Sequence, residues 1–152
     1  MKYLLFVCIS VMLTGSMKAQ DTQKKEVTDT VKEFFKAFHA QDTVALRAFA
    51  YGYVELQSIA KDKTGATQLH NETYETFVKS IGSIPDNVTF EERILNYDIR
   101  VDGDMANAWT PYEFYLNGEF SHCGVNSFQF LKTEEGWKII YLVDTRRRES
   151  CK

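Results

Sequence analysis

The sequence predicts an α+β domain, with helices in its first half and a four-stranded meander at its end. Three observations lead there. Val27, Val31, Phe34, Phe35 and Phe38 recur at helical spacing. Four long β-rich stretches follow one another after residue 89, separated by the short turns "DGD", "NG" and "TEEG". No repeat, linker or low-complexity segment divides the chain, and 152 residues suit one domain with a sizeable core.

The elements follow in order. Residues 1–19 carry Lys2, an apolar run from Tyr3 to Leu13 and a small-residue end, the pattern of a signal peptide cleaved near Ala19 or Gln20. Cys8 lies inside the apolar run after Phe6 and Val7, which does not suit a lipid attachment site. The single domain is then 20–152. An amphipathic helix covers roughly Lys24 to Ala40, and Asp42 caps a short second helix, "DTVALRAFA". "YVELQSIA" and "ATQLH" form short strands around the turn "KDKTG". Asn71 is expected to cap a third helix, "ETYETFVKSI", ended by Pro85. The meander strands are roughly Thr89–Val101, Met105–Leu116, Glu119–Lys132 and Trp137–Arg147.

Charge excludes some functions. The whole chain has 18 basic and 21 acidic residues. Removing 1–19 takes away Lys2 and Lys18, leaving 16 basic against 21 acidic residues and a net charge of −5. That balance gives no electrostatic case for nucleic acid or an anionic membrane, and no membrane anchor is expected. Arg146, Arg147 and Arg148 form one basic run, read as a solvated chain end. Cys123 and Cys151 remain after leader removal, in an export compartment where disulfides persist. Two cysteines without matching histidine spacing make a poor zinc site, so no metal or cofactor is expected. No nucleophile elbow or phosphate loop defines an enzyme class.

The order helix, helix, short hairpin, helix, long meander resembles the nuclear transport factor 2-like superfamily, which includes the SnoaL-like cyclases and ketosteroid isomerases. "WTPYEFYLNGEFSHCGVNSF", "GWKIIYLVDTRRRESC" and the leader are similar to small exported bacterial proteins grouped as lumazine-binding-like. The resemblance implies a cone-shaped curved antiparallel sheet wrapped around three helices, enclosing a pocket and often dimeric. It carries no particular activity, because this fold hosts enzymes, binders and transport factors alike.

Strand register selects the candidate site. Asn117-Gly118 is the preferred pair for a two-residue type I′ turn. Counting back from it sets Leu116 opposite Glu119, Glu113 opposite His122 and Trp109 opposite Asn126. A three-residue "EEG" loop with Gly136 left-handed pairs Thr133 with Trp137, Asn126 with Asp144 and Gly124 with Arg146; a four-residue loop would flip the last strand. One face then carries Trp109, Glu113, Tyr115, His122, Asn126, Asp144 and Arg146, grading into Phe128, Phe130, Ile140 and Leu142. The other face carries Cys123 with Tyr112, Val125, Val143 and Thr145.

An apolar floor with a few convergent polar groups suits a small-molecule pocket. The leading reading is therefore a periplasmic or secreted protein binding a small, partly aromatic or apolar ligand. Trp109 and Tyr115 would stack on it, and His122, Asn126 and Arg146 would hydrogen-bond to it. The alternative is a metal-independent enzyme, isomerase, cyclase or hydrolase-like, with His122 or Asp144 as general acid/base. A third is a homodimeric interaction module without a ligand. The outer sheet face (Tyr112, Val125, Ile139, Tyr141 and Val143) is the expected dimer contact. The bland reading of the polar set is cross-strand surface pairing contributing at most about 1 kcal/mol a pair. Tyr51, Tyr53 and Trp137 read as core or dimer contacts, and His39 and His70 as satisfied surface residues. A Cys123–Cys151 bridge needs the tail to curl back after Arg147, since an extended tail would overshoot by roughly 13 Å. Free thiols and a bridge to a partner chain are the alternatives.

Overall fold

The computed structural model describes residues 2–151, with side chains from Ala19 to Cys151. Helix α1 (Lys2–His39) leads into α2 (Thr43–Ala48), then strands β1 (Ala50–Lys61) and β2 (Thr67–Thr73), and helix α3 (Tyr74–Gly82). Strands β3 (Phe90–Ile94), β4 (Asp98–Asp102), β5 (Met105–Leu116), β6 (Glu119–Thr133) and β7 (Gly136–Arg147) complete the chain. The expected leader, 1–19, lies outside the described side chains except for Ala19.

Asp42 caps α2 as its sequence position suggests, accepting from the N–H groups of Val44 and Ala45 at 3.1 and 2.9 Å. The cap of α3 is Thr73, whose hydroxyl accepts from Thr76 N–H at 3.1 Å; Asn71 instead sits in β2 and accepts from Gln57 Nε2. An asparagine and a threonine, Asn71 and Thr73, compete within three positions, and the chain turns helical only after the second. The stretch expected as one strand from Thr89 to Val101 is broken between Ile94 and Asp98, and both halves pair with β5.

The sheet runs β2-β1-β7-β6-β5-β3, with β4 also on β5, and does not close. It is mixed rather than wholly antiparallel, because β1 lies parallel to β7. Two bulges bend its long strands. In the β5–β6 hairpin, Tyr115 faces Phe120 but Phe114 faces His122, so Ser121 is the extra residue. In the β6–β7 hairpin, Phe130 faces Ile139 but Gln129 faces Tyr141, so Ile140 is extra.

The helices fill the concave side. Val27, Val31, Phe34, Phe35 and Phe38 of α1 are buried against Phe128, Phe130 and Ile139 of the sheet. Phe34 meets Phe128 edge-on at 5.5 Å between centroids, and Phe38 stacks on Phe77 of α3 at 5.9 Å. Each such ring, fully buried, contributes about 1.5–3 kcal/mol before entropy is counted. Trp137 is core, as expected, whereas Tyr51 and Tyr53 are exposed. Cys123 and Cys151 are disulfide-bonded, with Cα atoms 5.7 Å apart. The tail reaches back because Ser150 takes a positive φ of 55° and its carbonyl accepts from Arg147 Nε at 3.3 Å.

Candidate functional site

Between α1, α3 and the inner sheet face lies a cavity of about 350 Å³. Phe34, Phe38, Phe77 and Phe128 wall one end, and Ser58, Glu92, His122, Asn126, Asp144 and Arg146 line the other. The sequence-derived set therefore divides. His122, Asn126, Asp144 and Arg146 meet in the cavity, as the β6–β7 register implies. Trp109, Glu113 and Tyr115 do not. They lie on the opposite face, where Trp109 is 48% exposed. Glu113 accepts from Tyr115 O–H at 2.8 Å, and the Tyr115 ring packs under Arg93 at 3.9 Å.

The cause is the Ser121 bulge. The turn itself forms as expected, with Asn117 and Gly118 both at positive φ and Leu116 facing Glu119. One residue inserted beyond it shifts every later pair, so Glu113 faces Cys123 and Thr110 faces Asn126. The β5 residues that share the inner face are thus Tyr112 and Phe114. The last hairpin shows the reverse case. Thr133 pairs with Gly136, not Trp137, a turn one residue tighter than expected, and the Ile140 bulge restores the register in time for Asn126 to face Asp144. Ile140 itself is exposed, while Ile139 is fully buried. Tyr112, expected beside Cys123 on the outer face, is buried inside.

Asp144 is the hub of the polar end. It accepts from Ser58 Oγ, from Tyr112 O–H at 3.1 Å and from Arg146 Nε at 2.8 Å. The Tyr112 hydroxyl also lies 3.0 Å from the Thr145 carbonyl. Burial, with Asp144 and Glu92 nearby, pushes the Tyr112 pKa far above the phenol range, so Tyr112 acts as a hydrogen-bond donor. His122 is half-buried and stacks on Phe114 at 4.8 Å, with Nδ1 3.1 Å from Ser121 Oγ. Burial first, then the nearby Arg146, holds its pKa below the ordinary imidazole value. That keeps His122 neutral at pH 7.

Glu92 is the residue the sequence did not disclose. It stands on β3 and accepts from Asn126 Nδ2 at 2.7 Å. The residue as a whole is partly exposed, while its carboxyl is surrounded by protein. Burial pushes its pKa up to about 7, Asp144 adding to the rise while the Asn126 hydrogen bond and Arg146 oppose it. Glu92 also lines a second, shallower groove with Lys32, Lys36, His39 and Tyr97. There the Glu92 N–H donates to His39 Nε2 at 2.9 Å, which fixes β3 to the end of α1. His39 is therefore satisfied as expected, though half-buried; burial lowers its pKa, partly offset by Glu91. An acidic residue within "FEERI" looks like an edge-strand charge, and alternation alone does mark Glu92 as inward with Phe90 and Ile94. Among the described residues, no three His, Cys, Asp or Glu side chains are grouped to hold a metal ion.

No protein-family model matches the chain, and no curated protein matches it by sequence. Solved structures do resemble it. An NTF2-like superfamily protein from Salmonella enterica shares 18% identity, with a TM-score of 0.65 over 86% of this chain and 94% of that one. An NTF2-like protein with a cystatin-like fold from Novosphingobium aromaticivorans shares 16% identity, with a TM-score of 0.66 over 91% and 90%. A protein from Streptomyces avermitilis, proposed to be a dehydratase of the NTF2-like family, shares 16% identity, with a TM-score of 0.63 over 84% and 97%. The chain has the nuclear transport factor 2-like, cystatin-like α+β fold. At this identity the likeness concerns the fold alone.

Proposed function

We propose that this chain is an exported binding protein that holds a small, partly aromatic or apolar ligand in the cavity between its helices and its sheet. The observation that carries the reading is the cavity itself. Its volume of about 350 Å³ falls within the range of small-molecule sites, with aromatic walls at one end and convergent polar groups at the other. Nothing in the acidic charge balance favours nucleic acid or an anionic membrane surface as partner. Native mass spectrometry of the protein purified from its own host tests the reading. A retained non-peptide mass, lost when Leu142→Trp fills the cavity, is the expected result. An empty cavity in protein from every growth condition, with Leu142→Trp folding unchanged, would count against it.

One observation favours a second reading, a metal-independent enzyme. A carboxyl whose pKa lies near 7 can both accept and return a proton at neutral pH. Glu92 suits that role better than Asp144, which already accepts from three donors. The Streptomyces avermitilis protein of the same fold is itself proposed to be a dehydratase, so the fold is compatible with such chemistry. Turnover of a host metabolite that is lost in Glu92→Gln and kept in Asp42→Asn, both variants being folded, would establish it.

A further inference from the structure

We propose that the cavity selects a small aromatic cation, an amine or amidine on a flat apolar body, and seats its positive head against Glu92. The inference rests on the binding reading above and specifies the class of ligand.

It follows from which charges of the cavity wall are already met. Asp144 and Arg146 form an ion pair at 2.8 Å, and Ser58 and Tyr112 donate to the same carboxylate. That unit is neutral and satisfied. His122 adds no charge at neutral pH, since burial and Arg146 keep its imidazole unprotonated. Asn126 is neutral and spends one amide hydrogen on Glu92 Oε1. Glu92 itself has no ion-pair partner among the described residues, and Asn126 is its carboxylate's one hydrogen-bond donor there. Glu72 adds a second acid to the lining. The unmet charge of this wall is therefore negative.

Arg146 is the obvious rival, because a guanidinium attracts anions. Here its charge is met by Asp144, and an anion beside it would stand in the field of Asp144, Glu92 and Glu72. A cation meets the opposite situation. The carboxylate of Glu92 supplies a charge-assisted hydrogen bond. Phe34, Phe38, Phe77, Phe114 and Phe128 line the same cavity and exclude water around the ligand's ring.

The charged and titratable groups around Glu92 set the pH dependence. They are Tyr112 on β5, His122 on β6, Asp144 and Arg146 on β7, Glu72 on β2, and Lys32, Lys36 and His39 on α1. Of these, the one whose protonation opposes a cation between pH 6 and 8 most directly is Glu92, because the empty site holds its proton up to about pH 7. Binding expels that proton, so affinity rises with pH across the range.

The test uses benzylamine, benzoate and benzyl alcohol, one ring with three heads, each titrated into the ¹⁵N-labelled full chain at pH 8 and followed by amide chemical shifts. Benzylamine is expected to bind at least about tenfold more tightly than benzoate, to move the Glu92, His122 and Asn126 amides, and to weaken at least about threefold at pH 6. Glu92→Gln should weaken benzylamine about tenfold while changing benzyl alcohol less than about twofold. Benzoate binding as tightly as benzylamine, or tighter, overturns the cation inference and leaves the binding reading in place. A silent cavity with all three probes overturns both. Should Glu92→Gln not fold, the ranking of the three probes on the unmodified chain decides the matter alone.

Discussion

At the scale of single residues the cavity depends on how its carboxyls are kept. Asp144 is surrounded by donors; Glu92 is left with one. Because the folded chain holds the Glu92 proton at about 7 rather than at the ordinary 4.5, its contribution to stability is full below pH 4.5 and is lost as pH climbs through 7. Glu92→Gln removes that loss and keeps a side-chain carbonyl for Asn126. We expect it to raise stability by about 1–3 kcal/mol at pH 8 and to change it little at pH 4.5, as read by urea denaturation at both values. The low end of that range reflects the partial exposure of the residue. Equal effects at the two pH values would show that folding does not raise the Glu92 pKa. Such a gain would also mark Glu92 as a residue held at the expense of stability, a common signature of groups kept for binding or chemistry.

At the scale of elements, β6 is the strand that positions the site, and Gly124 is its tightest point. A Cβ built there would lie 1.7 Å from the Thr145 carbonyl oxygen and 2.8 Å from Cε1 of Tyr112. The bare backbone lets the Tyr112 ring cross β6 and reach Asp144. Gly124→Ala should cost about 3 kcal/mol or more, because the obstruction is backbone and cannot rotate away; thermal unfolding against the unmodified chain measures it. The same strand shows where the sequence was legible. Its turn chemistry was plain in Asn117-Gly118, and the helical face of α1 in the spacing from Val27 to Phe38. The bulge at Ser121 left no such mark, since no glycine or proline announces it, and one residue exchanged Trp109, Glu113 and Tyr115 for Tyr112 and Phe114. Asn126, Asp144 and Arg146 were recovered because a tighter turn and the Ile140 bulge displace the register by equal and opposite amounts. Glu92 was missed for another reason: its partner Asn126 lies 34 positions away, beyond any local pattern.

At the scale of the whole molecule, the first described side chain to be fully buried is Val27, with Ala19 to Asp21 exposed. Cleavage after residue 19 or 20 would remove no buried side chain that the structure describes. N-terminal sequencing of native protein should begin at Gln20 or Asp21, and a start at Met1 would refute the proposed export. The dimer expected from the outer sheet face keeps its place as a proposal with changed membership. Tyr112 and Ile139 are inside, leaving Val125, Tyr141 and Val143 with exposed Trp109 and partly buried Pro111. Light scattering at micromolar concentration should give twice the chain mass, reduced to one chain by Trp109→Glu with an unchanged circular dichroism spectrum. A monomeric unmodified protein would rule that contact out. The Cys123–Cys151 bridge closes a loop of 28 residues and should contribute about 2–4 kcal/mol, which the double serine variant would forfeit in denaturant titration. Unfolded, unreduced protein should show no reactive thiol from this pair.

The parallel pairing of β1 with β7 has a consequence for how the chain comes to be folded. Ser58 and Asp144, 86 positions apart, meet across that pairing, and Leu56 lies beside Leu142. Closing so long a loop gives the fold a high contact order, and such topologies reach their native state slowly. The early helices cannot finish burying their apolar face until the final strand exists. A chain emerging from the ribosome thus remains unfinished until its last few residues are made, and a secretion channel that accepts only unfolded polypeptide would find it still threadable.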